Sequence, residues 1–311
     1  MVYFRKLILI ATVIMSVMLF TDTLFNNYQL GQAIWNLGHF FLFFAFVLLV
    51  LTHKKIVKIK PIWKLFISIF LTLILGGLIE VIQYFTGRNM EFHDLQTDFL
   101  GGLFAFISVI IFHYKNNKAL KYFFYSLLLF ILTFVLMPLA ETIIDEIRMQ
   151  REFPVLSNFE DADKIHRWIK KDINFMQQDS ARKIEGEYSL LIKFLSKGDP
   201  HISLKDFPSD WTDYSFLNFS IYNDQSYDVS IILKISDSLH KERGYVASDR
   251  YNKVLMLKPG WNVQKIKLTE VEKAPLSRVL NLSQVMEFSF YMEKSHVSTS
   301  LNIDDIYLSI K

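Results

Sequence analysis

Long apolar runs occupy the first 140 residues of the chain. A helix crosses the roughly 30 Å hydrocarbon core of a bilayer with about 20 mainly apolar residues. Five segments approach or reach this length and are predicted to be transmembrane helices. The first lacks a signal-peptidase site and is interpreted as a retained helix. The predicted spans are residues 3–21, 35–52, 62–85, 99–114 and 122–140.

The pattern changes from about residue 158, where apolar and polar positions alternate with a period of two. Val229, Leu233 and Ile235 then point to one face, as expected of a strand with one buried side. Short strands of this kind, separated by turn residues, predict a β-sandwich. The predicted strands are residues 188–195, 202–207, 216–222, 229–235, 254–257, 261–268, 288–292 and 306–310.

These patterns together predict a multidomain membrane protein, in which an α-helical transmembrane bundle of about five spans precedes an all-β sandwich. The bundle is assigned to residues 1–140 and the sandwich to residues 158–311. Residues 141–157 between them are charged and contain Pro154 near their end. We expect this stretch to form a short helix and a linker.

Basic residues orient the predicted spans. Lys and Arg are concentrated in segments 5–6, 53–60 and 115–121, whereas segment 22–34 has none and the loop after span three has only Arg88. Lys and Arg close to the spans are retained on the cytoplasmic side of a membrane. The sequence therefore predicts integration into the bacterial cytoplasmic membrane, with the N-terminus inside and the sandwich outside.

Composition and motifs remove several function classes. The net charge of +3 is too small to indicate a nucleic-acid partner. The chain has no cysteine, which excludes disulfides and thiolate nucleophiles. It also has no P-loop and no G-x-S-x-G motif, so no familiar reaction is indicated.

Six polar residues gather near the predicted outer ends of spans two to four, where ionisable side chains are costly and are candidates for function. They are His39, Glu80, Gln83, Arg88, Asp94 and Asp98. One interpretation is structural, in that these side chains tie helix ends together. The other is a site for a head group such as a lipid-linked phosphate or sugar, with Arg88 holding the anion. Glu80 and Asp94 would then hydrogen-bond hydroxyls or act as acid and base, and His39 would transfer a proton.

Three segments of this region resemble the VanZ-like family, and the resemblance covers about residues 5–115. They are Gly38-His39-Phe40, Glu80-x-x-Gln83-x-x-x-x-Arg88 and Asp94-x-x-x-Asp98-x-x-Gly101. The chain departs from the family pattern at Leu37, where the family often has Lys, and at Asp98, where it often has Asn. The resemblance implies a membrane protein of the cell envelope, with a link to glycopeptide resistance or polysaccharide handling as an expectation.

The second half resembles the galactose-binding-like jelly rolls that serve as carbohydrate-binding modules. The landmarks are Phe159-Glu160, Gly186-x-x-Ser189-Leu190, Phe207-Pro208-x-Asp210-Trp211-x-x-Tyr214, Pro259-Gly260-Trp261-Asn262 and Ile303-Asp304-Asp305-Ile306. Such modules bind sugars through exposed aromatic rings and short polar side chains. The implied ligand-binding residues are Trp211, Tyr214, Tyr245, Asp249, Arg250, Tyr251 and Trp261. The alternative for Trp211 and Trp261 is a position in the core or at a strand edge.

Glu160 opens the predicted sandwich and Asp304 and Asp305 close it, and the first and last strands are neighbours in sandwiches of this type. Ca²⁺ prefers oxygen ligands, including carboxylates. These three residues are therefore candidate ligands of a structural Ca²⁺, and solvated surface carboxylates are the alternative. No other cofactor is expected.

Two functions follow as expectations. The first is a binding protein, anchored in the lipid bilayer, that recognises an envelope glycan or a lipid-linked saccharide outside the membrane. The second is a membrane enzyme that acts on a lipid-linked substrate through Glu80, Arg88 and Asp94. The polar residues lie at one face and do not line a path across the membrane, which disfavours a transporter.

Overall fold

The computed structural model describes Lys6 and residues 8–10, 12–13, 28–85, 92–114, 116–292 and 298–310, with Tyr28 and Gln83 described in backbone only. The predicted first span lies mostly outside the described residues, and so does Arg88. The chain divides into two compact units, Met1–Asp145 and Glu146–Lys311.

Four helices in the described part of the chain are long and apolar enough to cross a membrane. They are α1 (Tyr28–Leu51), α2 (Pro61–Phe85), α3 (Phe92–His113) and α4 (Lys118–Glu152). They confirm predicted spans two to five, but two of them begin seven residues earlier than predicted. Helix α1 begins at Tyr28 instead of residue 35, and α3 begins at Phe92 instead of residue 99. The added turns contain polar side chains, which lower the local hydropathy without preventing a helix.

Helix α3 packs closely against α1 and α2 because glycines remove side chains at the two contacts. A Cβ atom on Gly101 would overlap the carbonyl oxygen of Phe40 in α1. A Cβ atom on Gly102 would overlap the methyl group of Thr72 in α2. Small residues allow such close approach of helix backbones in membranes.

Helix α4 continues without a break through residues 141–152, which therefore form its end instead of a separate short helix. This segment has no glycine or proline, and it consists mainly of residues that accept a helical conformation. The helix stops just before Pro154, as expected because proline disfavours a helical conformation in the residue that precedes it.

The second unit contains two antiparallel sheets that enclose one hydrophobic core. The six-stranded sheet has the order β3-β4-β11-β6-β9, with β1 also paired to β11, and the five-stranded sheet has the order β2-β5-β10-β7-β8. The strands are β1 (Val155–Ser157), β2 (Trp168–Lys171), β3 (Ile173–Asp179), β4 (Ser189–Phe194), β5 (His201–Leu204), β6 (Phe216–Asn223), β7 (Val229–Asp237), β8 (Tyr251–Leu257), β9 (Gly260–Lys267), β10 (Val285–Met292) and β11 (Thr299–Ser309).

Alternating side chains from both sheets fill this core. The ring of Phe219 on β6 lies 6.2 Å from that of Phe288 and 5.1 Å from that of Phe290, both on β10. All eight predicted strands are present, and β1, β2 and β3 are additional. The polar partners of the core residues point outward, and on the five-stranded sheet they form the surface described below.

Candidate functional site

Four of the six predicted membrane residues meet between α1, α2 and α3. His39 on α1, Glu80 on α2, and Asp94 and Asp98 on α3 are all buried. Nδ1 of His39 lies 2.9 Å from Oδ1 of Asp98, and Nε2 of His39 lies 3.8 Å from Oδ2 of Asp94. The imidazole therefore stands between two carboxylates, one hydrogen-bonded to it and one just beyond hydrogen-bond distance.

Other residues position these four side chains, His39, Glu80, Asp94 and Asp98, which we call the His39 cluster. Gly76 on α2 leaves room for Asp98, because a Cβ atom there would lie 2.7 Å from Oδ2 of that carboxylate. In the amide orientation that satisfies both its oxygen and its nitrogen, Asn36 donates to Oδ1 of Asp94 at 3.2 Å. Glu80 is close enough to interact electrostatically with both His39 and Asp98. An imidazole held among three carboxylates can accept, hold and release a proton.

The helix bounds place three residues of the cluster differently along their helices from the prediction, whereas Glu80 lies near the end of α2 as predicted. Because α1 begins at Tyr28, His39 lies near the middle of that helix and not near its end. Asp94 and Asp98 lie within the first turns of α3 and do not precede it. Arg88 and the side chain of Gln83 lie outside the described residues, so their predicted roles stay predictions.

Two of the predicted ligand-binding aromatic residues are buried, so their predicted contact with a sugar is wrong. Trp211 is fully buried in the sandwich core, and its Nε1 donates to the carbonyl oxygen of Pro208 at 3.1 Å. Tyr251 is 5% exposed, and its side chain points inward from β8. Neither ring is available for stacking on a sugar, so for Trp211 the alternative interpretation as a core residue fits.

The remaining predicted ligand residues do not converge on one site. Tyr214 packs edge-on against Phe153 and is half-buried, whereas Tyr245 is 60% exposed on the loop after β7. Trp261 is on β9 of the six-stranded sheet, where it packs against Tyr222. Asp249 and Arg250 close the loop that begins after β7. Of these two, only Arg250 borders the outer face of the five-stranded sheet.

The structure adds a buried ion network that the sequence did not indicate. Arg278 lies between two carboxylates, with Nη2 2.7 Å from Oδ1 of Asp237 and Nε 2.7 Å from Oδ1 of Asp249. The hydrogen bond from Arg278 holds the pKa of Asp249 below its usual value. Asp249 is therefore a structural residue here. No local motif marks Arg278, which is 29 residues from one partner and 41 from the other.

The outer face of the five-stranded sheet carries a group of polar side chains on β5, β10, β7 and β8, which we call the polar face, beside the apolar Ile232 and Val254. Its rows follow from the strand register. Ser203 on β5 pairs with Ser289 on β10, which pairs with Lys234 on β7, which pairs with Asn252 on β8. In the next row, His201 pairs with Tyr291. The sequence showed these polar alternations on single strands but not which strands are neighbours.

Glu287 supplies a charged acceptor at this polar face. Its Oε1 accepts hydrogen bonds from Ser289 at 2.6 Å and from Ser203 at 3.1 Å, and Lys205 lies 3.8 Å from its Oε2. Burial by itself would raise the pKa of Glu287, but the Ser289 hydrogen bond and the Lys205 charge outweigh it and hold this pKa below its usual value. The carboxylate is therefore ionised at neutral pH.

Two rings and an ammonium group stack beside this carboxylate. The His201 ring lies 4.2 Å from the Tyr291 ring at an interplanar angle of 20°. Nζ of Lys234 lies 2.9 Å from the centre of the Tyr291 ring. Burial and the nearby charge of Arg250 lower the pKa of Lys234 to about 8. Burial raises the pKa of Tyr291 to about 12, so its hydroxyl stays a donor at neutral pH.

The predicted calcium ligands line a separate cavity of about 320 Å³, together with Glu185. Glu160 accepts hydrogen bonds from the backbone of Glu187 and Tyr188, and Asp304 accepts them from the backbone of Ile184 and Glu185. Burial, followed by the charges of Glu185 and Asp304, raises the pKa of Asp305 to about 6.

This donor set has the chemistry that Ca²⁺ prefers. In the described part of the chain, however, no three His, Asp or Glu side chains are arranged as a preformed metal site. The oxygens of Glu160 and Asp304 instead hold the backbone of residues 184–188. Calcium binding stays a prediction, which melting of the protein with added calcium and with a chelator would test.

The VanZ/LLP1 family model matches residues 3–113. The VanZ/LLP1 region thus ends at the last residue of α3, and it contains the His39 cluster and both packing glycines. The expected family resemblance is confirmed over this region. No curated protein matches the chain.

Solved structures similar to this chain include glycoside hydrolases and carbohydrate-binding modules. An exo-β-agarase has a TM-score of 0.40 at 14% identity, covering 50% of this chain and 25% of that one, so this chain spans a quarter of the agarase's length. The family 11 carbohydrate-binding module from Clostridium thermocellum, in complex with a β-1,3-1,4-mixed-linked tetrasaccharide, has a TM-score of 0.38 at 12% identity, covering 50% and 94%. The family 30 module from the same organism has a TM-score of 0.36 at 16% identity, covering 46% and 91%.

Proposed function

We propose that this protein is a membrane-anchored receptor for a saccharide of the bacterial cell envelope. The observation that carries the proposal is the polar face, which presents a carboxylate, an ammonium group, an imidazole and a phenol on adjacent strands. A saccharide offers many hydroxyl groups, each of which both donates and accepts hydrogen bonds. A dense set of fixed donors and acceptors on a rigid sheet is suited to such a ligand.

Each part of the polar face has a role in this proposal. Glu287 is positioned by Ser203 and Ser289, so that it can accept from a sugar hydroxyl without first being ordered. Hydrogen bonds to an ionised group are stronger than those between neutral groups. Tyr291 and His201 add an aromatic edge against which the apolar side of a sugar ring can pack.

We further propose that the sandwich lies outside the cytoplasmic membrane. The argument is the distribution of basic residues around the helices. Lys54, Lys55, Lys58 and Lys60 follow α1, and Lys118 and Lys121 begin α4. Positive residues next to membrane helices are retained in the cytoplasm, which puts the residues after α4 on the opposite side.

Saccharide binding by the full chain in lipid nanodiscs tests the proposal. On an array of bacterial envelope glycans, we expect selective binding that Glu287→Gln weakens by about tenfold or more, because a hydrogen bond to a charged group contributes about 1.5–3 kcal/mol. Tyr291→Ala should also weaken binding, because it removes the ring against which the sugar packs. Tyr222→Ala is the matched control, since this tyrosine is half-buried on the outer face of the other sheet. If Tyr222→Ala loses saccharide binding while Tyr291→Ala keeps it, the binding site lies elsewhere. If the wild type binds no glycan on the array, the proposal is rejected.

A second candidate function is an enzyme that acts on a lipid-linked saccharide within the membrane half. The observation that favours it is the convergence of His39, Glu80, Asp94 and Asp98 from three helices, because buried ionisable groups in a membrane are expensive and are retained for function. In this proposal Glu80 and Asp94 act as acid and base, His39 transfers a proton, and Arg88 holds the anionic group of the substrate.

Resistance to a glycopeptide antibiotic in cells that produce the protein gives a readout for this second candidate. We expect Glu80→Gln and Asp94→Asn to abolish any resistance that the wild type confers, because neither amide can exchange a proton with a substrate. Thr133→Val, at an exposed position of α4, is the control. Membrane abundance is measured for every variant, and wild-type resistance in both acidic-site variants at equal abundance would rule out acid–base roles for them.

A further inference from the structure

Lys234 is a half-buried cation at the centre of the polar face, without an acidic partner among the described residues. None of the ion pairs in that part of the chain includes it. Its ammonium group lies instead over the ring of Tyr291, at 2.9 Å from the ring centre. A cation–π contact positions a charge but does not neutralise it. The side chain is therefore held in place without an ion-pair partner among the described residues.

The charged groups around Lys234 leave the polar face positive. Arg250, which directly precedes β8, adds a second cation and likewise forms no ion pair in the described part of the chain. Its Nε donates to Oδ1 of Asn252 at 3.0 Å, which places it beside the residue paired with Lys234. Of the two nearby acids, Glu287 already faces Lys205 at 3.8 Å, and the side chain of Asp199 is 62% exposed, so solvent screens its charge.

We propose that the ligand of the polar face is an acidic saccharide, whose carboxylate or phosphate group lies between Lys234 and Arg250. This inference rests on the proposed saccharide-binding function and adds the class of its ligand. The anion of the ligand supplies the ion-pair partner that Lys234 and Arg250 lack among the described residues. A neutral saccharide would displace water from both cations without compensating them, so the site discriminates against it.

The pH dependence follows from the ionisation of Lys234. Its pKa is lowered to about 8 by burial and by Arg250, while the charges of Asp199 and Glu287 oppose this shift. Below this pKa the ammonium form is present, and above it the charge that binds the anion is lost. Tyr291, also in contact with Lys234, keeps its proton up to a pKa of about 12, so it adds no negative charge near pH 8. Binding of an acidic saccharide therefore weakens as the pH rises from 7 to 9.

The test uses the full chain in nanodiscs and isothermal titration with three probes. Oligogalacturonic acid carries carboxylates, its carboxyl-reduced form is neutral, and poly(glycerol phosphate) carries phosphates. We expect Lys234→Met to weaken binding of an acidic probe by about tenfold or more. Lys265→Met is the matched control, because Lys265 lies over the Phe216 ring at 4.1 Å on the outer face of the other sheet.

A second comparison separates charge from packing. In the wild type, raising the pH from 7 to 9 should weaken acidic binding by up to about tenfold, since a group with a pKa near 8 is then mostly deprotonated. Lys234→Arg should bind acidic probes without this loss, because arginine keeps its charge at both pH values. Stronger binding of one acidic probe identifies its anion as carboxylate or phosphate.

The outcomes distinguish this inference from the function on which it rests. Equal binding of the neutral and acidic probes, unchanged in Lys234→Met, overturns the acidic ligand and leaves saccharide binding in place. If Lys234→Met and Lys265→Met weaken binding of the acidic probes equally, the attraction is non-specific, and the proposed acidic-saccharide site is overturned as well. Absence of binding to any saccharide, including the glycan array, overturns the proposed function itself.

Discussion

Replacing Arg278 by Met lowers the free energy of unfolding of the sandwich by about 3–5 kcal/mol, the usual cost of removing one partner from a buried ion pair. The side chains of Asp237 and Asp249 are 0% and 7% exposed. Arg278 donates to both of them and to the backbone carbonyl of Asp249. Without the guanidinium, two carboxylates stay buried together with little compensation.

Urea unfolding of the full chain, followed by hydrogen exchange in peptides from β7 and β10, measures this loss within the sandwich. Arg243→Met is the control, because Arg243 is 51% exposed and lies 3.9 Å from Asp249. Exposed pairs contribute about 0–1 kcal/mol. Similar values for the two variants would contradict a neutralising role for Arg278.

The same variant has a predictable pH dependence. The pKa of Asp249 is held below its value in the unfolded chain, chiefly by the hydrogen bond from Arg278. Stability from this interaction is therefore present above the unfolded pKa and is lost as the pH falls through the folded pKa. The difference in stability between the wild type and Arg278→Met should accordingly shrink as the pH falls below 4, because protonation removes the charge that Arg278 neutralises.

Replacing Gly101 by Ala should destabilise the membrane half by about 1–3 kcal/mol, the typical cost of overpacking. The added Cβ would overlap the carbonyl oxygen of Phe40, which belongs to the backbone and cannot rotate away. Helices α1 and α3 must then separate. His39 is the neighbour of Phe40, so its hydrogen bond to Asp98 should lengthen as well.

The thermal midpoint of the full chain in detergent, measured from the helical signal, tests this expectation. Gly77→Ala on α2 is a matched control, because a Cβ atom there would meet no described residue within 4 Å beyond its own stretch of helix. Alanine also favours a helix over glycine by about 1 kcal/mol. The control should therefore match or exceed the wild type, and equal loss in both variants would contradict close packing at Gly101.

The sequence predicted the composition of the His39 cluster because polar residues are conspicuous in apolar runs. His39, Glu80 and Asp98 each stand out in this way, and the packing of α3 against α1 and α2 brings them together. The starts of α1 and α3 were not predictable from hydropathy, because the first turns of both helices contain polar residues that lower it.

In the sandwich, alternation predicted the strands whose inner face is apolar. Strands β2 and β3 were missed because they are at sheet edges and carry polar residues, as in Trp-Ile-Lys-Lys over 168–171. The polar face was missed for a different reason. His201, Lys234 and Tyr291 become neighbours only through the order β5-β10-β7, which no local pattern encodes.

Aromatic exposure was the least predictable property of the candidate site. Trp211 lies in a loop with Pro208, Ser209 and Asp210, whose polarity indicates a surface position. Its indole is nonetheless buried, because the nitrogen finds the Pro208 carbonyl and the rest of the ring packs beside Phe207 at 5.5 Å. A tryptophan with its one donor satisfied locally can enter a core, and sequence alone does not reveal this.

The position of β11 has a consequence for biosynthesis. This strand pairs with β4 on one side and with β6 on the other, so it joins the β3-β4 and β6-β9 pairs into one sheet. Until the ribosome has released residues as far as Ser309, β4 and β6 present open edges, and unpaired edges invite association with other chains. The sandwich must therefore acquire its fold after its strands have emerged together, and a nascent chain that stops short of β11 is a target for chaperones and proteases.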